Sequence, residues 1–427
     1  MVRPPESFLQ YVWQHQLLEG DLRTSDGLPV VVERAGVLNR DAGPDFFDAR
    51  VRVGETLWVG NIEVHVKASD WNFHRHGTNH AYDNVVLHVV FDNDAPVTLQ
   101  DCHPLPTLSI ADHIPQVVWD NYDALVNPPE PLSIPCQDRL PSLSPLFVSS
   151  ALERLTFERL ESKCDNVRRL LADSRGNWEQ CCYWLLAHYF GGKANGFPFE
   201  LLARATDQNL LARWRDNPQR VEALLMGQAG LLESYYSDEY PRQLQADYEA
   251  LRQAARLTPI AGHLWKFFRL RPYGFPTLRI SQFAQLICRS RNLFSRLLET
   301  PSAGEIQSLF NVTASDYWTH HYQFDQPSPG KPKRLTPTFI DLLIINAWVP
   351  LLFEYGNQHG MQQYKDQAVS ILEQLSPEAN NIIRQWASVG IRPDNAAQSQ
   401  ALLQLYNEYC QQHGCLHCQI GYKIIVP

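Results

Sequence analysis

The rhythm of apolar and polar positions changes twice along this chain. Phe8, Leu9, Val12, Trp13 and Leu17 recur at helical spacing and predict an amphipathic helix over residues 6–18. Asp26-Gly27 marks a turn, and strand patterns follow at 28–33, 49–53 and 57–67, the last with Gly60 at its centre. The polar run 70–82 predicts a loop with a short helix. Residues 85–91 are almost unbroken apolar, the pattern of a strand covered on both faces. One more strand is expected around Val97-Thr98-Leu99. The order is helix, three strands, helix, strand.

Beyond residue 125 the rhythm becomes helical. Pro128, Pro129, Pro131, Pro135, Pro141 and Pro145 read as a linker over 126–145. Helical periods then occupy 146–171, 178–190, 243–255, 280–298 and 401–410, with a second linker-like piece at 326–337. The longest apolar run, 339–353, contains Asp341, Asn346 and Pro350 and is too short to span a bilayer, so a buried helix and no membrane partner are expected. The expected fold is α+β or α/β: an αβββαβ domain over 1–125, the linker, and a mainly α-helical domain over 146–427.

Composition adds limits. A chain of 427 residues with 44% apolar residues has ample material for a large core. The net charge of −9 means that nucleic-acid binding requires a local patch. Residues 251–298 supply one, with nine Lys or Arg and no acidic residue. Lys266, Arg269, Arg271, Arg279, Arg289 and Arg291 lie there among Trp265, Phe267, Phe268, Tyr273 and Phe283, a mixture suited to gripping phosphates and stacked bases. The bland alternative pairs these arginines with the acidic segment 233–249 and buries the aromatics. The first residues have no apolar signal core, and nine cysteines is an odd count, so a cytoplasmic protein with reduced thiols is expected.

Candidate chemistry concentrates between residues 41 and 90. Side chains alternate along a strand, so Glu63, His65 and Lys67 share a face at steps of about 7 Å. Asp45, just before the preceding strand, approaches Glu63 if the two strands form a hairpin. Two carboxylates and an imidazole suit Mg²⁺ or Mn²⁺, and a neighbouring Lys67 or His65 can activate a bound water for attack on phosphorus. The alternative is a solvated ladder of charges. Asp70, His74, His76 and His80 form a loop beside this strand, either a transition-metal site or a polar cover. His88, inside the apolar strand, reads as a hydrogen-bonded core histidine.

The tail carries a second constellation, Cys410-x4-Cys415-x2-Cys418 with His417. Three thiolates and an imidazole suit zinc, and the same spacing with a distant fourth cysteine suits an iron–sulfur cluster. Cys136 is the distant candidate. Three free buried thiols are the alternative.

The element order, with Pro44-Asp45 before one strand and Glu63-Val64-His65 on the next, resembles the PD-(D/E)XK nuclease superfamily. That resemblance implies a restriction-endonuclease-like domain hydrolysing DNA or RNA phosphodiesters with a divalent ion on Asp45 and Glu63. Glu6 matches a further acidic position on the first helix. Here His65 stands where the pattern has lysine, with Lys67 two residues on, so either residue fills that role. An inactive scaffold binding nucleic acid or protein on the same core is the rival reading, and a small-molecule hydrolase using the histidine loop is a third. Over nearly its full length, through stretches such as Asn39–Phe46, Gly60–Lys67, Ala81–Val90 and Cys415–Gly421, the chain also resembles the bacterial family called domain of unknown function 2851. That likeness implies a bacterial protein of the Bacteroidetes type and supplies no activity.

Overall fold

The computed structural model describes residues 3–128 and 132–426. Pro129 and Pro131 of the expected linker lie outside the described residues. The chain groups into two compact units, Met1–Ala151 with Leu405–Pro427, and Leu152–Gln404. The architecture is mixed α/β, an N-terminal sheet followed by a mainly helical region.

The first unit opens with helix α1 (Glu6–Gln14), whose buried face is Phe8, Leu9, Tyr11, Val12 and Trp13. It stops short of residue 18 because Gln16 turns left-handed at φ 53° and the Leu17 amide folds back onto the Val12 carbonyl. A six-stranded sheet follows, ordered β1 (Val30–Arg34), β3 (Phe46–Val53), β4 (Thr56–Lys67), β5 (Val85–Asp92) and β6 (Thr107–Ser109), with β2 (Val37–Leu38) on β3. β1, β3 and β4 run antiparallel, while β5 and β6 are parallel to β4. Gly54, at φ 61°, makes the tight turn that sets Val53 opposite Thr56. β3 begins earlier than its apolar pattern suggests, because a bulge at Asp48 (φ 56°) keeps Phe46 paired with Ile62. β5 is buried along nearly its whole length, as its unbroken apolar pattern requires. The strand expected near Thr98 is a single bridge to Pro104. β2 and β6 are too short to show an alternation.

Between β4 and β5 the chain forms α2 (Asp70–Phe73) and two short turns, His76–Thr78 and His80–Tyr82. This is the crossover that a parallel pair demands. After α3 (Gln116–Val126) comes the long helix α4 (Pro145–Asp173), within which the boundary between units falls. The tail belongs to this first unit, although its sequence continues the helical run. Its last helix, Gln419–Ile425, lies on α3, where Asn121 donates to the Ile425 carbonyl. Tyr422 sets its ring against Tyr11 and His15 of α1.

The second unit is helical around one apolar core. The helix expected over 280–298 is two, Pro276–Arg289 and Leu293–Leu298, broken where Asn292 turns left-handed. The apolar run becomes a continuous helical segment, Pro337–His359, widened by a π turn at Ile344–Trp348 ahead of Pro350, which has no amide proton to donate. That segment is long and apolar enough to cross a membrane, and 72% of its apolar window is buried within the protein. Residues 326–337 are more ordered than a linker: Gln326–Pro327 pairs with His321–Gln323, and buried Lys333 donates to the carbonyls of Trp318 and Thr319.

Candidate metal centre

The alternation of β4 sends Ile62 and Val64 to one face of the sheet and Glu63 and His65 to the other, and all four are buried. Asp45 arrives at the start of β3. Its Oδ2 accepts from the Val64 amide at 2.9 Å, and its own amide donates to Glu63 Oε2 at 3.1 Å. From α1, Gln10 donates to Asp45 Oδ1 at 2.9 Å and to Glu6 Oε1 at 3.3 Å. Three carboxylates from three elements therefore meet at one end of the sheet.

The crossover brings the imidazoles. Arg75, left-handed at φ 60°, bends the chain so that His74 and His76 both return to the sheet. Glu63 Oε1 lies 3.3 Å from His76 Nε2 and 3.5 Å from His65 Nε2. His74 Nδ1 lies 3.3 Å from His65 Nε2. Behind His65, its Nδ1 meets Nε2 of fully buried His88 at 2.8 Å. Tyr82 stacks on His76 with centroids 3.8 Å apart.

Electrostatics follow from burial and crowding. Burial, then the neighbouring Asp45 charge, pushes the Glu6 carboxyl up to about 7. Asp45 is raised by burial and by Glu63, and Glu63 by burial and by Glu6. The imidazoles move the other way: burial and the adjoining rings push His65 down to about 2 and His88 down to about 3. Burial thus disfavours the charged form of both kinds of group, the three carboxyls and the rings of His65 and His88.

The donor geometry fits a metal ion. Among the described residues, the ligand atoms of His65, His74 and His76 all lie within 4.8 Å of one another. Nitrogen or oxygen donors about 2.0–2.1 Å from a tetrahedral ion sit roughly 3.3 Å apart. The 3.3 Å between His65 and His74 matches that spacing, and Glu63 Oε1, outside the trio, borders it at 3.5 Å from His65 and 3.3 Å from His76. Neutral His65 can keep Nε2 free for an ion by carrying its proton on Nδ1, against His88 Nε2, which puts the His88 proton on Nδ1, a buried atom with no hydrogen-bond partner among the described residues.

The other expected residues separate. Lys67 lies at the end of β4 with Nζ 4.0 Å from Asp94, and Asp70 accepts from the Lys67 amide at 3.0 Å. His80 is exposed and pairs with Asp83, apart from the other loop histidines. Cys136, Cys410, Cys415 and Cys418 are buried within the same unit, while His417 is exposed. In the helical unit Lys266, Arg269, Arg271, Arg289 and Arg291 are exposed. Arg279 is instead a core residue: its guanidinium lies 3.4 Å from the centre of the Phe339 ring and donates to Gln282, so it does not face a surface ligand. Two contributors escaped the sequence reading. Gln10 lies on the helix face that carries Glu6, one turn on. Tyr82 acts here through packing, which spacing does not record, as it does not record the pairing of His88 with His65.

The chain matches no curated protein and no solved structure. A family model described as Protein of unknown function (DUF2851) matches residues 6–381, and the chain belongs to that family.

Proposed function

We propose that this protein is a divalent-metal-dependent hydrolase of nucleic-acid phosphodiesters, with its centre at Glu63, His65, His74 and His76 beside Asp45 and Glu6. The observation that carries the reading is the meeting of the Asp45–Glu63 pair with three imidazoles at the metal spacing. The imidazole-rich donor set favours Mn²⁺ or Zn²⁺ over Mg²⁺. A bound ion supplies an activated water and charge stabilisation at the scissile phosphate. Asp45 and Glu6, held together by Gln10 beside the ligand set, would be placed to pass protons where the ion binds. His88 holds His65 in its ligating tautomer.

Support for the substrate class comes from the element order and from the Asp45–Glu63 meeting, both of which resemble PD-(D/E)XK nucleases. At the position where that pattern has lysine, His65 faces the ligand set and Lys67 is drawn toward Asp94. The exposed cations Lys266, Arg269, Arg271, Arg289 and Arg291 are the proposed contacts to a phosphate backbone.

Cleavage of labelled single- and double-stranded DNA and RNA with Mn²⁺, Zn²⁺ or Mg²⁺ tests the reading. Wild type cuts, and Asp45→Ala, Glu63→Ala and His65→Ala each lose at least about 100-fold, the scale of removing an acid–base group. Retention of DNA without cleavage by wild type replaces the hydrolase with a binding scaffold. Stoichiometric metal with neither cleavage nor retention points to a small-molecule substrate.

A further inference from the structure

The helical unit holds a cavity of about 160 Å³ that the candidate metal centre does not use. Three helices, Trp178–Phe190, Gln208–Trp214 and Pro276–Arg289, supply its walls. Each contributes one face, with lining residues recurring at i, i+3, i+4 and i+7 over 179–186, 208–215 and 283–290. Two of these faces end on Arg215 and Ser290, each just past the end of its helix. Asn209, Ala212 and Asn292 line the cavity and are exposed, which marks where it meets solvent.

Eight buried polar side-chain atoms lack a hydrogen-bond partner among the described residues, and three of them belong to this lining. They are the hydroxyls of Tyr183 and Ser290 and Nε of Arg215. Tyr183 is only 6% exposed and Ser290 only 3%. Unpaired polar groups are costly in a packed interior, so three around one space point to a partner that enters it. Both hydroxyls can donate, and a guanidinium can do nothing else. The matching partner is therefore rich in acceptors.

Charge narrows its chemistry. Glu179 and Arg215 are the two charged residue types in the lining. The Glu179 carboxylate is already engaged, accepting from the Phe294 amide at 3.1 Å and the Ser295 amide at 3.0 Å. The acids on either side of the middle helix are engaged as well. Asp207 accepts from the Asn209 amide at 2.8 Å, and Asp216 lies 3.6 Å from Arg291. Arg215 is the lining charge left to be matched, and a carboxylate matches it best. The remaining wall is apolar. Leu186, Leu211, Phe283 and Leu286 are buried, and the Tyr183 ring stacks on Phe283 with centroids 5.6 Å apart. Water could satisfy the polar atoms but gains nothing from these walls. A cavity of about 150 Å³ with such a lining takes up one benzene ring.

We propose that this cavity binds a small monocarboxylate whose body is a single aromatic ring, with the carboxylate held by Arg215, Tyr183 and Ser290 and the ring lying against Phe283 and Leu286. The site belongs wholly to the helical unit and draws on no residue of the sheet.

The test is titration of the full chain with benzoate and with phenylacetate up to about 10 mM, the weak end for ligands of this size. Broadening of the ligand proton resonances and the melting midpoint are the readouts, and neutral benzyl alcohol is the control. Both acids should bind and raise the midpoint, and benzyl alcohol should bind at least about 10-fold more weakly. Arg215→Gln removes the charge, while Tyr183→Phe keeps the stacked ring and removes the hydroxyl. Each should weaken benzoate by about 10- to 100-fold, the scale of a hydrogen bond to a charged group. Without ligand, Tyr183→Phe should melt no lower than wild type, because its hydroxyl leaves no partner stranded. That readout separates a hydroxyl kept for a ligand from one that holds the fold. Absence of binding by both acids, equal binding of benzyl alcohol, or benzoate affinity unchanged in both variants overturns the proposal. Glu63→Ala should bind benzoate as wild type does, so failure here is distinguishable from failure of the hydrolase reading.

Discussion

His65 Nδ1 and His88 Nε2 lie 2.8 Å apart in the middle of the sheet, the first ring on β4 and the second on β5. The pairing exists because β4 and β5 are parallel with Glu63 opposite His88, close in register to His65. It orients a ring whose other nitrogen faces Glu63 and His74. Replacing His88 by Phe keeps a planar ring, slightly larger, and removes the partner. The expected outcome is a loss of about 10- to 100-fold in Mn²⁺ affinity, the scale of losing a buttressing hydrogen bond behind a ligand. Titration calorimetry on folded wild type and His88→Phe measures it.

The carboxylates and imidazoles make opposite demands on pH. Glu6 near 7, with Asp45 and Glu63 also raised, binds more protons folded than unfolded, so its stabilisation is complete below the ordinary carboxylate range and is lost as pH rises through about 7. His65 and His88, held down to about 2 and 3, bind fewer protons folded. Their stabilisation is complete above the ordinary histidine value of 6.5 and is lost as pH falls below it. Metal-free protein should therefore have a thermal midpoint that falls on both sides of the mildly acidic range. Excess Mn²⁺ should raise the alkaline arm, and Glu63→Gln should flatten it in chelator. Melting curves from about pH 5 to about pH 9, with and without Mn²⁺, test both.

Gly60 is required by close approach. A Cβ there would stand 2.5 Å from Val86 Cγ1 and 2.6 Å from the Asn84 carbonyl oxygen. That carbonyl is already bound to the Asn61 amide at 2.8 Å, so it has little freedom to retreat. Gly60→Ala should cost about 1–3 kcal/mol, the usual range for forcing extra atoms into a packed interior. Denaturant unfolding monitored by amide exchange in β4 and β5 checks this locally.

The basic stretch gives a contrast within one segment. Charge reversal at the exposed residues Lys266, Arg269 and Arg271 should weaken DNA retention and lower its salt slope by about one for each phosphate that is no longer neutralised. Arg279→Gln should act through stability, because its guanidinium rests on Phe339 inside the core. Retention measured across a salt series, beside melting curves, separates the two effects. A flat salt response in wild type would remove nucleic acid as the partner.

What the sequence determined by itself was local: which residues alternate and which recur at helical spacing. Period two placed Glu63 and His65 on one face, with Asp45 near Glu63 on condition of a hairpin, and the pairing of β3 with β4 supplied that condition. The unbroken apolar run of β5 announced a strand covered on both faces. Tertiary structure decided everything that depends on distant pairing. A parallel crossover put His88 behind His65, a left-handed residue at Arg75 returned His74 and His76 to the sheet, and Lys67 was drawn toward Asp94. The tail joined the N-terminal unit, and Arg279 left the surface for the core. The physical reason is that backbone periodicity is set by neighbours along the chain. The partner of a buried polar group is set by whichever segment the packing of the core brings alongside it.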